Sequence, residues 1–86
     1  MNEQSTALVT GGTSGIGRAT AFALAEQGHE VIVHGRDAAR GAETVKAIED
    51  RGGRARFVAA NLADPADVAA LAADVGAVDV LVNNAG

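Results

Sequence analysis

This sequence of 86 residues predicts an α/β fold, a parallel sheet with helices on both faces, and three observations carry the prediction. Short apolar runs alternate with helical patterns at intervals of about 20–30 residues, the rhythm of βαβ crossovers. The runs are apolar on both sides, as strands covered by helices above and below must be. A glycine-dense turn, Thr10-Gly11-Gly12-Thr13-Ser14-Gly15-Ile16-Gly17, joins the first run to the first helical pattern.

Taken in order, Thr6–Thr10 reads as a central strand. From Gly15 to Gln27, side chains at Ile16, Ala19, Thr20, Ala23 and Leu24 recur at helical spacing, and Gly28 is placed to close that helix. Val31-Ile32-Val33, β-branched throughout, predicts a second buried strand that breaks at His34-Gly35-Arg36-Asp37. Asp37 suits the N-cap of a second helix to about Arg51, with Ala38, Ala42, Val45 and Ile48 on its packed side and Gly52-Gly53 ending it. A third strand is expected over Arg56–Ala60. Asp64-Pro65 then opens a third helix, acid as N-cap and proline in the first helical position. Val68, Leu71, Ala72 and Val75 form its apolar stripe, Gly76 stops it, and Val78–Val82 is the fourth strand. The predicted strand order is 3-2-1-4, which places a ligand crevice beyond the strand C-termini where the connections diverge. The glycine turn, His34–Asp37, Asn61-Leu62 and Asn83–Gly86 all follow strand ends and face that crevice.

Composition bounds the function. The length allows one small domain, and alanine supplies much of the apolar content, with Phe22 and Phe57 the only aromatics, so the core is thin. A formal net charge of −4 argues against nucleic acid and anionic membrane as partners. The absence of cysteine excludes disulfides and thiolate metal sites, and no other metal-ligating pattern stands out. The polar start Met1-Asn2-Glu3-Gln4-Ser5 lacks a secretion signal, and no run reaches membrane-spanning length, so a cytoplasmic location is expected.

The glycine turn points to an anion. Its glycines allow positive φ and close backbone approach, and the following helix aims free N–H groups and its positive dipole end at the turn. Thr10, Thr13 and Ser14 add hydroxyls, so a phosphate is the expected occupant, against the alternative of a bare strand-to-helix turn. A nucleotide-hydrolase P-loop is excluded: Gly12 and Gly17 have its spacing, but Arg18-Ala19 stand where lysine and a metal-coordinating hydroxyl are needed.

The spacing Thr10-Gly11, three residues, Gly15, one residue, Gly17, followed after the fourth strand by Asn83-Asn84-Ala85-Gly86, resembles the short-chain dehydrogenase/reductase family. It is similar to the compact branch rather than the extended epimerase branch, and the likeness covers the whole sequence. The resemblance implies a Rossmann-like, doubly wound fold of which residues 1–86 are the N-terminal part of a single NAD(P)-binding domain. It implies that Gly11, Thr13, Ser14, Gly15, Ile16 and Gly17 shape the pyrophosphate turn, that Asn61 and Leu62 hold the adenine, and that Asn84, Ala85 and Gly86 line the cofactor wall. Asn61 departs from the family's usual aspartate there but keeps an acceptor and adds a donor. The Asn83–Gly86 run also steadies the sheet.

Cofactor choice is read after the second strand, where an acid accepts from the ribose of NAD and a basic side chain takes the 2′-phosphate of NADP. Gly35 occupies the acid's place and leaves room, Arg36 offers a guanidinium fork, and Asp37 is a helix cap, which favours NADP (NADPH) over NAD. Against this, Ser14 lacks the basic side chain that some NADP-dependent relatives carry, and Arg36 could equally be a solvated residue at a helix start. His34 is expected to border the adenosine site and His29 to lie at the surface.

The family's chemistry is hydride transfer between nicotinamide and a carbonyl or alcohol, with a tyrosine as acid/base, a lysine four residues on and a serine. This sequence has no tyrosine, its only lysine is Lys46 and its serines are Ser5 and Ser14. The expectation is therefore a partial chain that holds a cofactor but no catalytic group, the remainder carrying the active site and a homo-oligomer interface. The alternative is a stand-alone nucleotide-binding or scaffold fragment.

Overall fold

The computed structural model describes residues 5–13 and 15–84. The element order is β1 (Thr6–Thr10), α1 (Gly15–Glu26), β2 (Glu30–Gly35), α2 (Ala38–Asp50), β3 (Arg54–Ala59), α3 (Pro65–Val75) and β4 (Val80–Asn83). The four strands form one sheet in the order β3-β2-β1-β4, and every pair is parallel. Rossmann-like topology is thus present as expected. All strand C-termini share one edge, and the helices, running back against the strands, place their N-termini there.

Residue alternation assigns the faces. Val9 and Val33 are in register, as are Val33 and Phe57, so these side chains share one face. There Val9, Ala21, Val31, Val33 and Ile48 form the buried cluster, with Phe22, Leu24, Ala25 and Phe57 packed against it. α1 and α2 therefore cover this face. Arg56 points to the other face, where its guanidinium bonds Asp74 of α3 at 3.0 Å and buried Leu71 packs from the same helix. That second cover is sparse: Val68 and Leu81 remain exposed.

The helix faces differ from expectation by part of a turn. On α1 the buried positions are Gly17 and Ala21, while Ile16, Ala19 and Ala23 are exposed. On α2 they are Gly41, Thr44 and Ile48, and Ala38 and Ala42 are exposed. On α3 Leu71 alone is buried and Ala72 is exposed. On α1, and at Gly41 of α2, small residues take packed positions because the helices sit close to the sheet there. A Cβ at Gly41 would overlap the Phe57 ring, so only glycine lets α2 approach β3 there.

Strand limits also moved. β2 continues through His34 and Gly35 because both pair with β3, at Val58 and Ala59. β3 starts earlier, at Arg54, opposite Glu30. β4 starts later, since the Asp79 N–H donates to Thr6 O while the Asp79 carboxylate accepts the Thr6 N–H at 2.9 Å. The local caps are as expected: the Asp37 carboxylate accepts from the Ala39 and Arg40 amides, and that of Asp64 from Ala66.

Candidate functional site

The turn between β1 and α1 is held from three sides. Gly11 N–H donates to Nδ1 of His34 at 3.1 Å, and Gly12 N–H to the His34 carbonyl at 2.9 Å. The Asn84 side-chain amide donates to the Gly11 carbonyl at 3.3 Å. Gly11 and Gly15 take φ of 63° and 54°, the left-handed region that disfavours side chains. Among the described residues nothing lies within 4 Å of a Cβ added at Gly15, chain neighbours aside, so they leave the space over it open. Gly17 is required for the opposite reason: its Cβ would run into the Gly11 carbonyl and the Asn84 amide, so glycine alone lets α1 start against the turn.

α1 has no acidic residue in its first turn. Its first N–H groups and dipole point out of the helix start and favour an anion. Ile16 projects beside them, 76% exposed. Ser14, Ala85 and Gly86, expected at the same site, lie outside the described residues.

The hydroxyls do not all serve the turn. Thr10 Oγ1 is turned into the sheet, accepting the Asn84 N–H at 2.9 Å and facing the Val82 carbonyl and Asn83 Oδ1 at 3.3 and 3.2 Å. It joins β1 to β4 and is not available as a phosphate donor. Thr13 packs over Gly35, whose added Cβ would stand 2.8 Å from Thr13 Cγ2. The room expected at Gly35 is therefore filled by Thr13, and an acidic side chain there would have to displace it.

Arg36 and Asn61 line one cleft of about 230 Å3, together with Ala59, Ala60 and Asp67. The Arg36 side chain is exposed and makes no hydrogen bond or ion pair with another described residue. Asn61 Oδ1 accepts the Ala63 N–H at 3.0 Å, which leaves the side-chain NH2 as the available group. Its backbone N–H is held by the Asp67 carboxylate at 2.9 Å. Leu62 follows, exposed. The cleft therefore presents a cation and an amide donor beside an apolar side chain.

Three contributors were not legible beforehand. His34, expected at the border of the adenosine site, is 3% exposed and lies between the turn and β3, and that bridging position was not foreseen. Its signal was a lone polar residue ending an apolar strand. Asp67 and the inward role of Thr10 had no signal, because their partners depend on tertiary contact. His29 is half-buried rather than at the surface, and its Nδ1 has no partner among the described residues. Lys46 is on α2, exposed, and pairs with Asp50 at 3.2 Å. No His/Cys/Asp/Glu group that could hold a metal occurs among the described residues.

With this geometry in place, the comparisons decide the family. The model for short chain dehydrogenase matches residues 5–86. The chain belongs to the short-chain dehydrogenase family. It is 46% identical over 83 residues to a 3β-hydroxysteroid dehydrogenase of Mediterraneibacter gnavus, covering 92% of this chain and 30% of that protein. It is 49% identical over 85 residues to a cis-4-hydroxycyclohexanecarboxylate dehydrogenase of Sinomonas cyclohexanicum, covering 93% of this chain and 33% of that protein. A solved short-chain dehydrogenase from Sphingobium yanoikuyae, in complex with NADPH, superposes with a TM-score of 0.88 at 34% identity, over 95% of this chain and 34% of that one. The chain spans about a third of the length of the curated relatives it matches. No helix among the described residues is long and apolar enough to cross a membrane.

Proposed function

We propose that residues 1–86 form the NADP(H)-binding part of a short-chain oxidoreductase acting on a carbonyl or alcohol substrate. The observation that carries this reading is the strand C-terminal edge, where a glycine-shaped helix start follows β1 and Arg36, unpaired among the described residues, follows β2. A dinucleotide phosphate needs both: amides for its pyrophosphate and a cation for its 2′-phosphate. The NADPH complex of the Sphingobium relative supports the same reading.

On this reading the turn from Gly11 to Gly17, including Thr13, Ser14, Gly15 and Ile16, cradles the pyrophosphate. Arg36 takes the 2′-phosphate and excludes no ribose contact of NAD, so selectivity lies in added affinity for NADP. Asn61 and Leu62 hold the adenine, and Asn84, Ala85 and Gly86 bound the cofactor wall. The open space over Gly15 and the left-handed backbone fit such a group. The nicotinamide, when bound, supplies or accepts the hydride. The 86 residues contain no tyrosine, so on this reading they supply the cofactor contacts and not the acid/base group of the family's chemistry. The intact protein is read as a cytoplasmic homo-oligomer without nucleic acid or membrane partners.

Equilibrium binding of NADPH and NADH to the intact protein tests this reading: tighter NADPH supports it, and failure to bind either refutes it. The coding sequence after Gly86 tests the enzyme itself. A serine followed by Tyr-x-x-x-Lys supports an oxidoreductase, whereas a stop codon leaves a nucleotide-binding fragment.

A further inference from the structure

His34 ends β2 with both ring nitrogens engaged. Nδ1 receives the Gly11 N–H at 3.1 Å, and Nε2 lies 2.9 Å from the Ala60 carbonyl. A backbone N–H only donates and a carbonyl only accepts, so the ring is neutral with its proton on Nε2. The same residue's carbonyl takes the Gly12 N–H at 2.9 Å, and the next carbonyl, of Gly35, takes the Ala60 N–H at 3.1 Å. One residue therefore holds two successive amides of the glycine turn and grips the peptide that leads into Asn61.

We infer that His34 is a positioning residue of the cofactor site, fixing the Thr10–Gly11 peptide through Nδ1, with its ring oriented by the Nε2 bond to the Ala60 carbonyl. This rests on the NADP(H) reading above. Gly11 is the residue on which the turn depends: its carbonyl, in the peptide after the one His34 Nδ1 holds, takes the Asn84 amide and forms the floor against which Gly17 packs. The Thr10–Gly11 peptide is held at its N–H by the imidazole, and the Gly11–Gly12 peptide at its carbonyl by Asn84 and at its N–H by the His34 carbonyl, so both peptides flanking the Gly11 Cα are oriented. The direction of the amides that follow is set with them. Without the imidazole acceptor the Gly11 N–H loses its partner, and the Thr10–Gly11 peptide can reorient before an anion arrives, with only the Gly12 and Asn84 bonds left to hold the turn. Preorganised donors lose their advantage when that happens.

The two nitrogens can be separated. Asparagine places an acceptor near Nδ1 but does not reach Ala60; glutamine places a donor near Nε2 and abandons Gly11. In the intact protein, His34→Asn is expected to bind NADPH within about threefold of wild type, and His34→Gln to bind about tenfold more weakly, the loss of one buried hydrogen bond. NADH is expected to weaken by the same factor, because both cofactors share the pyrophosphate. Thermal melting of each variant identifies any that fails to fold, and 15N NMR of the wild-type imidazole reads the tautomer directly. Unchanged NADPH affinity in folded His34→Gln, equal losses in both variants, or a proton on Nδ1 would each overturn the inference. Failure of wild type itself to bind NADPH would instead overturn the cofactor reading.

Discussion

The two ends of the sheet are built for different ends. At the strand N-termini the chain closes on itself: Glu30 N–H donates to Ser5 O, and Thr6 and Asp79 exchange two hydrogen bonds. The Arg51 guanidinium lies over the Phe22 ring, 4.3 Å from its centre, and approaches Glu26 at 3.9 Å, while Arg18, from the first turn of α1, reaches the same ring at 4.5 Å from the other direction. That end has a cavity of about 380 Å3, lined by Phe22, Ala25, Ile48 and Arg51 among others. The cleft at the opposite end, beside Arg36 and Asn61, has only about 230 Å3. Cavity size and the proposed site therefore point to opposite ends. The larger space is bordered by Arg51, already engaged with the Phe22 ring and near Glu26, whereas the smaller holds the Arg36 guanidinium, which pairs with no other described residue.

The sharpest way to break this contrast is Gly17→Ala. Its methyl would strike the Gly11 carbonyl and the Asn84 amide, so the turn must shift. NADPH affinity is expected to fall at least about a hundredfold, or roughly 2.8 kcal/mol, measured by equilibrium titration. Retained affinity would mean that the turn is not the site. Next comes Arg36→Ala, expected to weaken NADPH about tenfold to a hundredfold while leaving NADH unchanged, since only the 2′-phosphate loses a charge-assisted partner. Equal losses for both cofactors would remove Arg36 from that role.

Two smaller effects sharpen the comparison from the structural side. Asp64→Ala deletes the α3 cap to the Ala66 amide and is expected to cost about 1 kcal/mol of stability by denaturant melting. Cofactor affinity should barely change, because Asp67, not Asp64, holds the Asn61 amide. Arg51→Ala, at the other end, removes one cation over Phe22 and one exposed ion pair, for about 0.5–1 kcal/mol. Its NADPH titration should match wild type; a substantial loss there would mean that the two ends are coupled.

Much of this was readable beforehand. The order of elements and the 3-2-1-4 sheet follow from apolar runs and caps, and Gly15 and Gly17 follow from spacing. The packed faces of the helices were harder, because α1 is largely glycine and alanine and its periodicity has little contrast. The prediction put Ala19 and Ala23 on the packed side, where the structure buries Gly17 and Ala21. The end of β2 was missed because His34 and Gly35 look like a turn until β3 pairs with them.

Local chemistry, then, was determined by the sequence alone: caps such as Asp37 and Asp64 act within three residues, and a glycine's tolerance of positive φ is its own property. The tertiary structure decided what those local pieces meet. The Gly11 amide finds His34 across 23 residues, His34 finds Ala60 across 26, and the Asn84 side chain finds Gly11 across 73. Such pairs depend on strand register and on how closely α1 can approach β1, which no spacing along the chain encodes.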